Sequence, residues 1–175
     1  MKTIWKVLIG LLVLALIIFL IYKSLQPEKP FKKIELSGDN RIINGSLPSY
    51  YDTILAVALD TMGIKNQTII VRKISDATIN STEGVEISAH LRYDNNIFYL
   101  FSGDFNRSKA IEILSHEMIH ADQYLKEDLI YESGTLLWKG TTYNLNDIKY
   151  EVRPWETDAY DRQGELIQKV KIKLY

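Results

Sequence analysis

Ser115-His116-Glu117-Met118-Ile119-His120 is the stretch from which the rest of this chain is read. It has the form H-E-x-x-H. It lies in a run from Arg107 to about Lys126 whose apolar residues Ala110, Ile111, Leu114, Met118, Ala121 and Leu125 recur at helical spacing. On a helix, side chains four residues apart stand one above the other, with Cβ atoms about 5–6 Å apart. His116 and His120 can therefore aim two imidazole nitrogens at one cation. Zinc accepts imidazole nitrogen at about 2.0–2.1 Å in a tetrahedral set. Glu117, one residue round, stands beside such a cation rather than on it, where a carboxylate can take a proton from metal-bound water. His116, Glu117, His120 and Tyr124 fall on the face adjoining the apolar stripe, which suits the wall of a cleft. The chain has three histidines in all; two of them four apart around a glutamate read as a site rather than an accident.

Ahead of this helix, Ser102-Gly103-Asp104-Phe105-Asn106 forms an entry in which Asp104, Asn106 or Ser108 can cap the first turn. Val85 to Tyr93 alternates, with Val85, Ile87, Ala89 and Leu91 on one face and Glu86, Ser88, His90 and Arg92 on the other. Asp94-Asn95-Asn96 is a turn signal and Ile97 to Phe101 a second strand, so the pair predicts a hairpin. His90 then lies on the polar face and is expected in solvent rather than on a metal. Thr68 to Arg72 is a short β-rich run. Ser49 to Met62 has helical spacing with Gly63 as its stop, and is expected to serve packing alone.

Beyond the helix come two short β-like runs, Leu129 to Glu132 and Thr135 to Lys139, joined through Ser133-Gly134. A loop is expected from Gly140 to Asp147. Pro154 suits the first turn of a second long helix, predicted to reach about Val170, with Lys169, Lys171 and Lys173 complementing its C-terminal dipole.

The amino-terminal region differs in kind. Ile4 to Tyr22 is apolar apart from Lys6, and as a helix it would reach roughly 28 Å, close to the ~30 Å hydrocarbon core of a bilayer. Lys6 can snorkel to the interface. No small-x-small cleavage site follows, so an uncleaved signal anchor is expected. Lys2 and Lys6 lie on one side of it and Lys23, Lys29, Lys32 and Lys33 on the other, so basic residues do not favour a cytoplasmic amino terminus. An anchor of this kind ordinarily exports the domain behind it, and an extracytoplasmic domain is the expectation. Gln26 to Asn40, with Pro27 and Pro30 among charges, reads as a linker.

The 175 residues favour one domain with appendages, and a net charge of −1 gives no footprint for nucleic acid. The absence of cysteine rules out a disulfide framework and a thiolate zinc site. There is no G-x-S-x-G, no phosphate-binding glycine loop and no basic stripe with interleaved aromatics.

A hydrolytic zinc site needs a third protein ligand and an open fourth position. The candidates are Glu156, Asp158, Asp161, Glu132 and His90. Glu156 opens the second long helix behind the rigid Arg153-Pro154-Trp155 entry. Asp158 is turned about 200° from it on a 3.6-residue helix, and Asp161 has a shorter reach that better fits a hydrogen bond to a ligand histidine. Tyr160 is a further candidate outer partner.

His-Glu-Met-Ile-His at 116–120 followed by Arg-Pro-Trp-Glu-Thr-Asp-Ala at 153–159 resembles the gluzincin arrangement of zincin metallopeptidases. Within that group the chain is most similar to small bacterial and phage zincin-like proteins, which carry a Trp-Lys-Gly-x-x-Tyr hairpin, here 138–143, and a Pro-Trp-Glu-x-x-Ala helix, here 154–159. The resemblance covers roughly Ile97 to Arg162. It implies His116, His120 and Glu156 as metal ligands and Glu117 as the base. It also implies a peptide substrate lying along the strand just before the metal helix, Ile97 to Phe101, by edge addition; the alternative is that this strand is internal and has no free edge. The Asn-Glu-x-x-x-Asp motif of thermolysin-type enzymes is absent, as is any metzincin pattern.

The expected architecture is α+β: one N-terminal transmembrane helix at 1–23, a linker at 24–40, and a zincin-like metallopeptidase domain at 41–175 with a small, mostly antiparallel sheet. The expected function is a membrane-anchored, Zn2+-dependent hydrolase acting on a protein or peptide substrate. The alternative is an anchored binding or assembly module that keeps zinc for structure alone, to which Glu117 would be of no use.

Overall fold

Hydrophobic period, helix punctuation and turn chemistry account for most of the elements in the computed structural model, which is described over residues 2–25, 29–32, 39–74, 88–132 and 135–175. The chain divides into two units, Met1–Phe31 and Lys32–Tyr175.

The first unit contains helix α1 (Lys2–Leu25). Its described side chains, Ile9 and those from Leu12 to Lys23, are exposed. Among the described residues no helix is long and apolar enough to cross a membrane. The expected span therefore rests on the sequence from Ile4 to Tyr22 alone.

The second unit begins with β1 (Arg41–Asn44), α2 (Tyr50–Met62) and β2 (Thr68–Lys73). Gly63 ends α2 at φ 72, the left-handed conformation glycine takes without Cβ strain, and its N–H caps the helix on the Leu59 and Asp60 carbonyls. Strands β3 (Ala89–Asp94) and β4 (Ile97–Ser102) follow. Asn95 and Asn96, at φ 50 and 62, make the two-residue turn between them. Turns of that kind match the right-handed twist of paired strands. The expected strand's first residues, 85–87, lie outside the described residues.

These strands form one sheet in the order β1-β2-β4-β3. Arg41 lies opposite Thr68 and Thr68 opposite Ile97 in parallel pairings, while Ala89 lies opposite Ser102 in an antiparallel one. The sheet is thus mixed, which corrects the expected mostly antiparallel one. For the β1–β2 pair the cause is α2, a helical crossover that returns the chain in the direction it left; within this sheet only β3 and β4 are joined by a tight turn. The strand before the metal helix, β4, is internal, bonded on both sides. Among the described residues the edges of this sheet are β1 and β3, and β3 is the one beside α3.

Helix α3 (Arg107–Leu125) starts where the Asn106 side chain accepts a hydrogen bond from the Lys109 N–H at 3.0 Å. Strands β5 (Leu129–Glu132), β6 (Thr135–Trp138) and β7 (Thr141–Tyr143) then build a second, antiparallel sheet. The expected loop after Gly140 is this third strand, reached through a turn in which Lys139 and Gly140 have φ 48 and 80. A 3₁₀ turn (Tyr150–Val152) leads to α4 (Pro154–Leu174), a full turn longer than predicted.

Helices α2, α3 and α4 pack on one another and α3 packs against β3. Leu55, Leu59, Ile69, Phe98, Leu100, Ile111, Leu114 and Met118 are buried between these layers. A smaller core of Leu129, Leu136, Trp138 and Trp155 lies beneath the second sheet, with Tyr124 and Leu145 packed against it. The face of α3 carrying the H-E-x-x-H residues is bordered by β3, α4 and this second core.

Candidate metal centre

His116 and His120 stack along α3 with ring centroids 4.8 Å apart and planes nearly perpendicular. Glu156, in the first turn of α4, reaches across: its Oε2 lies 3.2 Å from His116 Nε2 and 3.4 Å from His120 Nε2. All three residues are buried, and their ligand atoms lie within 4.8 Å of one another, close enough to hold a metal ion. Bonds of about 2.0–2.1 Å in a tetrahedral set give ligand–ligand edges of about 3.3 Å, which the two measured separations match.

The orientation of His120 follows from its neighbours. Gln123 Nε2 donates to the Trp155 carbonyl at 3.0 Å and to Asp158 Oδ2 at 2.8 Å. Both of those groups can only accept, so the amide nitrogen of Gln123 must face them. Its Oε1 is then left at 2.7 Å from His120 Nδ1. An amide oxygen can only accept, so Nδ1 carries the proton and the Nε2 lone pair is turned toward Glu156 and His116. Such outer hydrogen bonds fix a metal-ligating histidine's tautomer and ring position. Gln163 Oε1 stands in the same relation to His116 Nδ1 at 3.1 Å, and the Tyr160 ring lies 4.7 Å from the His116 ring. Arg162 bonds to Asp158 at 3.0 Å and also to Asp122 on α3, tying the two helices together behind the site.

Without a cation these groups share protons. Burial opposes a charge on His120, but its hydrogen bond to Glu156 and the negative charges of Glu117 and Glu156 prevail, and its pKa rises to about 9. Burial would likewise raise Glu156, yet hydrogen bonds from His116, His120 and Tyr150 hold its carboxyl well below the usual range. Tyr150 donates to Glu156 Oε2 at 2.8 Å, and burial together with that carboxylate pushes its phenol upward. A cation bound here would take the place of the proton on His120.

Glu117 is 5% exposed, and its Oε2 is buried without a hydrogen-bond partner. Burial raises its pKa, while the neighbouring histidines and a backbone hydrogen bond from Leu91 lower it. Leu91 lies on the free edge of β3. The two-residue turn makes Asp94 and Ile97 a bonded pair, so alternation assigns Arg92, His90 and Ser88 to bonding with β4. The Gly103 N–H donates to the Ser88 carbonyl at 3.0 Å, in the same register. Ala89, Leu91 and Tyr93 therefore turn their backbone groups outward, toward α3.

Cavities of about 500 Å3 and 400 Å3 open on the two flanks of Glu117, and both are lined by Ala89, Glu117 and Tyr150.

Of the sequence candidates, His116, His120 and Glu156 come together. Asp158 is turned away from the three, as its position two residues after Glu156 requires, and acts through Gln123. His90 is exposed and stacks on Phe101, centroids 4.7 Å apart. Asp161 is exposed, and the histidine partner expected of it is supplied instead by Gln123 and Gln163. The side chain of Glu132 lies outside the described residues. Gln123, Gln163 and Tyr150 went unread in the sequence. The available signal was spacing: Gln123 is three residues past His120 and Gln163 seven past Glu156, on the same helix faces.

No family model, curated protein or solved structure matches the chain.

Proposed function

We propose that this chain is a zinc-dependent peptide hydrolase of gluzincin-like arrangement, anchored by its N-terminal helix with the hydrolase domain on the extracytoplasmic side. The observation that carries the reading is Glu117: a buried carboxylate oxygen with no partner, beside three groups able to hold a metal ion. Such a group needs a polar partner, and a water on the neighbouring ion would be one; a purely structural site has no use for it.

Two imidazoles and one carboxylate are a known donor set of catalytic zinc, with the fourth position left open. His116, His120 and Glu156 would hold the ion, which when bound supplies Lewis acidity that makes water nucleophilic near neutral pH and polarises a carbonyl. The chain's own groups account for the rest. Outward backbone groups of Ala89 and Leu91 can align an extended peptide by strand addition. Glu117 takes a proton from the attacking water and returns it to the amide nitrogen as the C–N bond breaks, giving a carboxylic acid and an amine.

A zinc-stabilised binding module is the competing reading. Structural zinc sites are closed, whereas cavities flank this one on both sides, which favours catalysis. Glu117→Gln decides between them. The variant should keep about one zinc per chain by native mass spectrometry, yet lose hydrolysis of a denatured protein substrate by at least about 100-fold. An active wild type that loses nothing on this change would remove Glu117 as the base. Wild type that stays folded and refuses zinc would end the proposal.

A further inference from the structure

The two cavities beside Glu117 differ in chemistry. On the His116 flank the wall is polar and of mixed charge, with Lys109, Glu112, Gln163 and Lys171. Besides Arg92 and Arg153, the His120 flank carries a mostly apolar wall of Tyr124, Leu129, Leu136, Leu145 and Trp155. These five belong to, or pack against, the small core under the β5–β7 sheet. The second cavity is thus walled by side chains already held in place, and its volume of about 400 Å3 lies within the ~300–1,000 Å3 usual for ligand sites.

We infer that the cleft takes the interior of a peptide chain and selects a large apolar side chain, phenylalanine or leucine, on its His120 flank. The inference rests on the peptide-hydrolase reading for its class of ligand. The reactive carboxylate lies between two open cavities, so chain continues past it in both directions; a site built for a chain end needs room on one side only. An extended segment along β3 carries its neighbouring side chains into both flanks. On the His120 flank the apolar part of the wall rewards apolar surface. The mixed charges of the other flank tolerate polar residues. Pockets of this kind discriminate about 10–200-fold per missing methylene.

The test uses the full-length chain in detergent micelles, loaded with zinc and carrying Glu117→Gln so that peptides stay intact. The probes are hexapeptides acetylated and amidated at their ends, identical except for Phe, Leu, Ala or Asp at one of the two central positions. Binding is read from tryptophan fluorescence, since Trp155 lines the cavity. At one central position the Phe and Leu peptides should bind at least about 10-fold tighter than the Ala peptide. Leu145→Asp should erase that difference. Equal affinity for all four peptides, affinity for none, or binding confined to uncapped peptides would overturn the inference, whatever Leu145→Asp does to folding. Wild-type protein that binds with this preference but leaves the peptides whole would end the hydrolase reading and leave the apolar pocket standing. Cleavage without preference would do the reverse.

Discussion

Gln123 has no acid–base chemistry of its own, yet it determines which nitrogen of His120 is free to bind a metal. Its amide nitrogen is claimed by the Trp155 carbonyl and the Asp158 carboxylate, and its oxygen by the His120 ring. Gln123→Leu, close in volume but without the amide, should leave the ring able to rotate and to exchange tautomers. Zinc affinity, measured by competition with a chromophoric chelator, should fall about 10–100-fold. Asp161→Ala, at an exposed position, should leave it unchanged. Equal affinities for Gln123→Leu and wild type would sink this role. At the residue scale the three clustered residues and the carboxylate beside them were legible, because motif and spacing select them. Their supports were not, since glutamine and tyrosine occur on every helix and only the partner helix reveals which of them matter.

Strand β3 is the element through which the sheet meets the site. Its register turns the Ala89 and Leu91 backbone outward, and one of those groups already holds Glu117. Ala89→Pro deletes an outward N–H without removing a bond to β4, the placement in which an edge strand tolerates proline. The variant should keep its circular dichroism and zinc content and lose about 10-fold in affinity for a capped peptide. Unchanged affinity would mean that the peptide does not add to this edge. The helices were legible because each carries its own punctuation: Gly63 ends α2, Asn106 caps α3 and Pro154 starts α4. Hairpin β3–β4 was legible from its Asn-Asn turn. Strand β1 was not, since Arg41-Ile42-Ile43-Asn44 is short, lacks alternation, and becomes a strand only beside β2. The parallel pairings that place β4 inside the sheet are tertiary facts that no local pattern encodes.

At the scale of the molecule, the proposed anchor lies in the unit Met1–Phe31 and the candidate metal centre in the unit Lys32–Tyr175. Full-length protein should stay with membranes through an alkaline carbonate wash, and a chain starting at Ser37 should not; release of the full-length protein would remove the anchor. The metal centre has a consequence for the whole chain as well. His116 and Glu156 lie 40 residues apart in sequence, and the β5–β7 sheet occupies the segment between them. A cation holding both ends closes that segment into a ring, as a disulfide would, in a protein with no cysteine to make one. Unlike a disulfide it binds only the folded chain, and at about 100 to 1,000 times its Kd such an ion adds about 3–4 kcal/mol of stability. Stripping the metal with a chelator should therefore lower Tm by on the order of 10 °C and expose the second sheet to added protease, while a thiol reductant should do neither. The same clasp that arms Glu117 would then be a staple that opens with the supply of metal rather than with the redox state of its surroundings.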